Sequence, residues 1–403
     1  MKVSRSLAIG GSVVLVLSVI FTYNWMTTRE PSRAVTKKPG VLKNVTSKVQ
    51  PPTKKRIENK IKKPKKPVVK KKVIKPHKPA GLQPKSKSKR RGLISAIPLL
   101  DVLKARNQPN RGQSIFFHET TNFRRDEKIR MITLTPRAAC AIESAALHNP
   151  RLTVFVLFAG ATHRLSSGDP LIKALNRYKN IRLRHINVQR YAAGTPIEKW
   201  LKTGKIFKSK YLFAHVSDLL RYITLYKYGG LYLDLDVVVQ RNLEKMPPNF
   251  TGAESNISLA CGVMKMSSTG LGHKIATLCL KDLQEHYDPN NWATNGPGVI
   301  TRVAKQLCNT DSIKSLTNNP KRCKGFQVFD PKTFYALHWQ QWKDFFLPNR
   351  LNITMKTISQ SPVIHVWNKF SRAFKLQKKT ICAYTQLAKT HCPKTFAAAG
   401  SLF

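Results

Sequence analysis

Between residues 113 and 243, uninterrupted apolar runs alternate with helix-like segments, and no other feature restricts the fold of this chain so strongly. "SIFFHE" (114–119), "LTVFVLFAG" (152–160), "IRLRHINV" (181–188) and the run 231–236 read as strands. "TPRAACAIESAALH" (135–148), "PLIKALNRY" (170–178), "PIEKWLKTGKI" (196–206) and "VSDLLRYITLYKYGG" (216–230) read as helices. Thr135 followed by Pro136 marks a helix start, because the N–H that proline lacks would be unpaired there anyway. The pair Gly229-Gly230 marks a helix end. A strand that is apolar on both faces has to be covered on both. Helices between such strands do this, which predicts an α/β fold with a mostly parallel sheet. Ligands of such sheets bind beyond the carboxyl ends of the strands.

The pattern does not reach the N-terminus. Residues 6–28 carry no charge, and residues 7–26 supply about the 20 apolar residues that cross a bilayer. Lys2 and Arg5 precede this run, Tyr23 and Trp25 fall where one membrane interface would lie, and no small-x-small cleavage pattern follows. It reads as a retained signal anchor. From about 29 to 91 runs an arm of Lys-Pro units, with 24 Lys and Arg against Glu30 and Glu58. Such an arm repels itself and has little to bury, so it is expected to be extended or disordered. The expected organisation is a tail (1–6), an anchor (7–26), a stem (27–108) and one folded domain (109–403). Of the net charge of +51, the arm supplies +22 and the head +2, which leaves +27 on the remainder. Anionic partners, such as phosphates or acidic headgroups, are favoured.

Charge alone does not fix the orientation. Arg29, Arg33, Lys37 and Lys38 follow the span and would hold the domain in the cytosol. Sequons at Asn44, Asn249, Asn256 and Asn352, and seven cysteines with Cys308 and Cys323 at a pairable spacing, favour the lumenal side.

Acidic residues number 20 against 71 basic ones, yet Asp234 and Asp236 interrupt the apolar run "GGLYLDLDVVVQRNL" (229–243). The strand period of two puts both carboxylates on one side of the sheet or off its end together. Charges this close repel unless a cation lies between them. A hard divalent ion such as Mg²⁺ or Mn²⁺ would relieve that and carry a diphosphate. A surface strand with one aspartate paired to Arg241 is the plainer alternative. Upstream, Ser217 is placed to cap a helix, with Asp218 and Arg221 at i,i+3 on one face.

The whole run "SDLLRYITLYKYGGLYLDLDVVVQRNL" (217–243) resembles the S-D-x-x-R…Y-x-x-G-G-x-Y-x-D-x-D…N-L signature of glycosyltransferases with a D-x-D sugar-binding region. "IFFHET" (115–120), "AIESAALHNP" (141–150), "NGPGVITR" (295–302), "FYALHWQQW" (334–342) and "VIHVWNKFS" (363–371) extend the likeness to about residues 113–395. They are similar to the family of lactosylceramide 4-α-galactosyltransferase and α-1,4-N-acetylglucosaminyltransferase. The resemblance implies a GT-A catalytic domain, a single-pass type II protein of the Golgi membrane with that domain lumenal, a UDP-sugar donor, Mn²⁺, and retention at the anomeric carbon. The acceptor it implies is a glycolipid or other glycan, and no nucleic acid is expected. Galactose or N-acetylgalactosamine would be moved, or N-acetylglucosamine onto glycoprotein glycans; an inactive basic membrane tether and a cytosol-facing enzyme are the rival readings.

Residue by residue, the resemblance makes Asp234, Asp236 and His365 the metal ligands. Asp218, Arg221, Tyr232, Asp234 and Gly296 would bind the donor, and Asp234, Asp236 and Asn295 would be catalytic. His365 can also be read as a packed core histidine. Trp339, Trp342 and Trp367 are either sugar platforms or core residues. No carboxylate nucleophile is identifiable, since Asp282, Glu285 and Asp288 are equally a polar helix face. "ACGVM" (260–264) departs from the family where an Asn-Gly-Ala-like stretch is usual, which leaves the donor sugar open. Cys261 and Cys382 lack obvious family counterparts, which leaves room for an additional disulfide, with one cysteine of the seven then free.

Overall fold

The computed structural model describes residues 96–121, 123 and 129–403. The expected tail, anchor and most of the stem, with Asn44, lie outside the described residues. The elements that position the site begin with β1 (Ala96–Pro98), β2 (Ser114–Glu119), α1 (Pro136–His148), β3 (Thr153–Phe158) and β4 (His163–Leu165). Then come α2 (Pro170–Leu175), β5 (Ile181–His185), α3 (Leu212–Tyr228), β6 (Gly230–Leu233) and β7 (Val237–Val239). After them lie β8 (Phe250–Ala253), β9 (Leu259–Met266), α4 (Gly270–Glu285), α5 (Pro297–Cys308), β10 (Gln327–Phe329), β11 (Val363–His365), α6 (Asn368–Ser371) and α7 (Ala383–His391).

Seven strands form one sheet in the order β10-β8-β9-β6-β2-β3-β5. β5, β3, β2 and β6 run parallel to one another, as does β10 to β8. Only β9 is reversed against its neighbours β6 and β8. The short turn from β8 to β9 enforces this, because a hairpin can join only antiparallel strands. The fold is therefore a mixed, mostly parallel α/β sheet, as the alternation predicts. Ile115 and Phe117 pack with α1 on one face of the sheet, and Phe116 and Phe155 with α3 on the other. The two-faced burial explains why β2 is apolar at consecutive positions.

Local signals hold in detail. The Thr135 hydroxyl accepts from the N–H of Ala138, with Pro136 at the first helical position. Gly229 and Gly230 have φ of 62° and 89°, and a Cβ on Gly230 would come within 2.4 Å of the Ser114 carbonyl oxygen. Only glycine lets α3 turn this tightly into β6.

Four expectations are corrected. First, the folded domain starts before residue 109. β1 pairs antiparallel with β4, and Val102, fully buried, donates its N–H to the His185 carbonyl. Apolar residues after the last basic cluster give this segment something to bury. Second, α3 starts at Leu212, so Ser217 lies inside the helix and caps nothing. His215, bonded to Ser209 and the Asn291 carbonyl, anchors the added turn. Third, the stretch 196–206 is broken, with a helix over Glu198–Lys202 and a 3₁₀ turn over Lys205–Lys208 separated by Gly204 at φ 72°. Fourth, three cysteines are free rather than one: Cys308 pairs with Cys323 as their spacing suggests and Cys140 with Cys392, while Cys261, Cys279 and Cys382 are buried and free. Cys261 sits on β9 against Arg221, and Cys382 begins α7, so neither faces a partner thiol.

Candidate active site

β6 ends at Leu233, one residue before the first aspartate. The N–H of Asp234 still donates to the Gly262 carbonyl at 2.9 Å, after which the chain leaves the main sheet. Val237–Val239 then pairs antiparallel with β11, in a register that sets Val237 opposite His365. This crossing brings together residues that lie about 130 positions apart. Asp234 and Asp236 face each other across a turn, not along a pleated strand as their spacing suggests.

His365 Nε2 lies 3.2 Å from Asp236 Oδ1 and 3.8 Å from Asp234 Oδ2. One ligand atom from each of the three residues falls within 4.8 Å of the others. Two carboxylate oxygens and an imidazole nitrogen make a donor set for a divalent cation. The aspartate side chains are 21% and 12% exposed, so the cluster is open to a ligand from outside.

Each member of the cluster is held in place. Tyr232 donates its hydroxyl to Asp234 Oδ1 at 2.6 Å, and Arg221 Nη2 lies 3.1 Å from the same oxygen. The N–H of Asn368 donates to Asp236 Oδ2 at 2.6 Å. That N–H is aimed by Trp367, whose φ of 57° is a left-handed conformation unusual for a tryptophan. Trp367 is fixed by donating Nε1 to the Leu337 carbonyl and by edge packing on His365, with ring centres 4.5 Å apart. Arg221 also pairs with Asp218 at 3.0 Å and donates to the Cys261 sulfur.

The electrostatics follow from burial against charge. Burial alone would lower the His365 pKa, but Asp236 and Asp234 raise it to about 10. Burial works against the Asp234 charge, yet Arg221, His365 and Tyr232 hold its pKa down at about 2. Asp218 is pushed up to about 7 by burial, with Arg221 opposing and Asp234 adding. The two carboxylates thus favour a positive charge at the imidazole, against the burial that opposes it.

The structure thus gathers Asp234, Asp236 and His365, with Arg221, Tyr232 and Asp218 directly behind. Tyr232 and Arg221 are buried and engaged with Asp234, so they shape the ligand more than they line a cleft. Gly296 also belongs here. A Cβ on it would stand 2.4 Å from Asp218 Oδ1, and its carbonyl accepts from the Tyr222 hydroxyl at 2.8 Å. Asn295 does not join them. It is fully buried, and its amide is spent on the Asp288 backbone and on His215, which ties the 288–295 loop to α3. In the structure this side chain holds the 288–295 loop. Trp339 stacks on Phe370, and Trp342 meets Phe346 and Phe374 edge-on. Asp282 is taken by Arg302 at 2.6 Å.

Residues 135–255 match the glycosyltransferase sugar-binding region containing a DXD motif, and residues 268–399 match the alpha 1,4-glycosyltransferase conserved region. The chain is 30% identical to lactosylceramide 4-alpha-galactosyltransferase of Mus musculus, over 64% of this chain and 70% of that one. With the Homo sapiens protein of the same name identity is 29%, over 78% and 86% of the two chains. Alpha-1,4-N-acetylglucosaminyltransferase of Homo sapiens is 24% identical, over 64% and 74%. Among solved structures, the galactosyltransferase LgtC with donor and acceptor sugar analogues overlaps 70% of this chain and 95% of its own, at 13% identity and a TM-score of 0.36.

Proposed function

Because the chain belongs to the alpha 1,4-glycosyltransferase family with a DXD sugar-binding region, we propose that it moves a hexose from a UDP-sugar to a glycolipid acceptor. Galactose or N-acetylgalactosamine is the hexose, the new linkage is α-1,4, and the anomeric configuration is retained. Lactosylceramide and GlcNAc-terminated glycosphingolipids are the acceptors to test first. The observation that carries this reading is the convergence of Asp234, Asp236 and His365 at the carboxyl end of β6, where parallel α/β sheets take their ligands.

Asp234, Asp236 and His365 would hold Mn²⁺, which when bound supplies charge neutralisation for a diphosphate leaving group. The chain's own residues do the rest. Tyr232, Arg221 and the Asn368 N–H orient the two carboxylates before any donor arrives. Preorganisation of this kind saves reorganisation during the reaction. Asp218 and Gly296 form the buried shelf beside the ligands. The acceptor hydroxyl attacks the face that the diphosphate leaves, and its proton passes to the departing phosphate.

The proposed setting is the lumenal side of the Golgi membrane, with a type II anchor over residues 7–26 and the stem as spacer. Two sequons support it: Asn256 and Asn352 are exposed in the fold. Among the described residues no helix is long and apolar enough to cross a membrane. The deciding experiment offers UDP-galactose, UDP-N-acetylgalactosamine and UDP-N-acetylglucosamine, with and without Mn²⁺, to both acceptors. Metal-dependent glycolipid elongation by one donor is expected. Protein glycosylation, or no transfer at all, would overturn the proposal, and protease protection in sealed microsomes tests the orientation.

A further inference from the structure

Arg137 is a buried cation in an unfavourable place. It occupies the first turn of α1, where the helix dipole favours anions, and it is 6% exposed. Burial lowers its pKa, and among the described residues no carboxylate pairs with it. The side chain therefore destabilises its own helix, and what it contributes lies in the bonds it makes elsewhere.

Those bonds all go to one short segment. Nη1 donates to the Ser371 carbonyl at 2.8 Å, and Nη2 donates to the Phe374 carbonyl at 2.6 Å. The guanidinium lies over the Phe346 ring at 4.6 Å, which fixes the plane of the fork. Ser371 is fully buried, and its hydroxyl donates to the Val366 carbonyl at 2.9 Å. Val366 in turn donates its N–H to the Asp236 carbonyl at 2.8 Å, and the N–H of Asn368 donates to Asp236 Oδ2 at 2.6 Å. One end of the segment 366–374 is thus bonded to a member of the acidic cluster, and the other end to Arg137.

This segment cannot hold itself. α6 is a single turn, too short to be stable alone. Trp367 before it has a φ of 57°, a conformation that persists only where the surroundings impose it. Arg137 satisfies carbonyls at the C-terminal end of that turn, where a cation is favoured. Lysine has the charge without the planar fork, so it would reproduce this grip only in part.

We propose that Arg137 is a positioning residue for the metal site: its grip on Ser371 and Phe374 sets the segment whose N–H groups aim Asp236. This rests on the reading of Asp234, Asp236 and His365 as metal ligands given above. Arg137 bonds to none of the three, and it acts on them through Ser371, Val366 and Asn368.

The test compares the full chain with its Arg137→Met and Arg137→Lys variants. Hydrogen exchange is read by mass spectrometry in EDTA over residues 363–374, with β5 as the internal control. Mn²⁺ binding is read from the electron paramagnetic resonance signal of the free ion. In Arg137→Met, exchange over 363–374 should quicken at least about tenfold while β5 is unchanged, and Mn²⁺ should bind about 10- to 100-fold more weakly. Arg137→Lys should show both changes to a smaller degree, and it decides the matter if Arg137→Met does not fold. Faster exchange spread evenly over the domain, or unaltered Mn²⁺ affinity in variants whose Tm has dropped, would make Arg137 a packing residue and overturn the proposal. Unchanged exchange over 363–374 would overturn it too. If the unaltered chain binds no Mn²⁺, the metal reading fails and this proposal with it. Mn²⁺ binding that is the same in the unaltered chain and in both variants defeats the positioning role alone.

Discussion

Replacing His365 with alanine separates a metal ligand from a core histidine, because the two roles respond oppositely to metal and pH. His365 is 8% exposed, with its ring nitrogen 3.2 Å from Asp236 and 3.8 Å from Asp234. Burial opposes its charge, but the two aspartates raise its pKa to about 10, against about 6.5 in an unfolded chain. A raised folded-state pKa stabilises fully below the unfolded value, and that stability is lost as pH rises through the folded value. Removing the cation from such a buried cluster costs on the order of 3–5 kcal/mol. Urea melts in EDTA should therefore show His365→Ala less stable by about that amount at pH 6, and by progressively less toward pH 10. With Mn²⁺ the ordering concerns affinity. The variant should bind the ion at least about tenfold more weakly, and excess metal should recover part of the activity. In the unaltered protein each ion must displace a proton from His365, so metal affinity should climb from pH 6 to pH 8, by up to about tenfold per unit. A stability difference independent of pH, together with an unshifted Mn²⁺ curve, would refute the ligand role.

Asp234→Asn and Asp236→Asn should each reduce transfer below about 1% of the parent rate in the donor assay. In EDTA Asp234→Asn should also lose stability, because Arg221 and His365 hold that carboxylate ionised to about pH 2; the effect is present at neutral pH and fades as pH falls through that value. A chain beginning at Gly92 should keep full turnover on a soluble acceptor. One beginning at Pro109 loses β1 and the buried Val102 and should melt several degrees lower, burial of one valine alone being worth about 1.5–3 kcal/mol. If the domain is lumenal, glycosidase treatment should shift the mobility of the secreted protein through glycans on Asn256 and Asn352. Asn249 should carry none, since it is 6% exposed and accepts from the N–H and hydroxyl of Ser267.

The sheet was readable because buried parallel strands such as β3 must be apolar on both faces, a pattern that survives without knowledge of any partner strand. The aspartate pair was readable because its two members are adjacent in sequence and chemically out of place. His365 is different. Its position depends on β7 pairing with β11, a contact about 125 residues long in sequence, so only the family likeness pointed to it. The same limit hid the Cys140–Cys392 disulfide, whose halves lie 252 residues apart. The bonding of the Asn295 amide to Asp288 and His215 was likewise hidden, since neither partner is adjacent in sequence.

Calorimetric titration of UDP into the full chain, with Mn²⁺ and again in EDTA, tests the assignment of the site most directly. One UDP should bind per chain in the presence of Mn²⁺, with affinity falling at least about a hundredfold in EDTA and equally in Asp236→Asn protein with Mn²⁺. Equal UDP affinity with and without the ion, or unaltered binding by Asp236→Asn, would contradict a metal-held donor site at Asp234, Asp236 and His365.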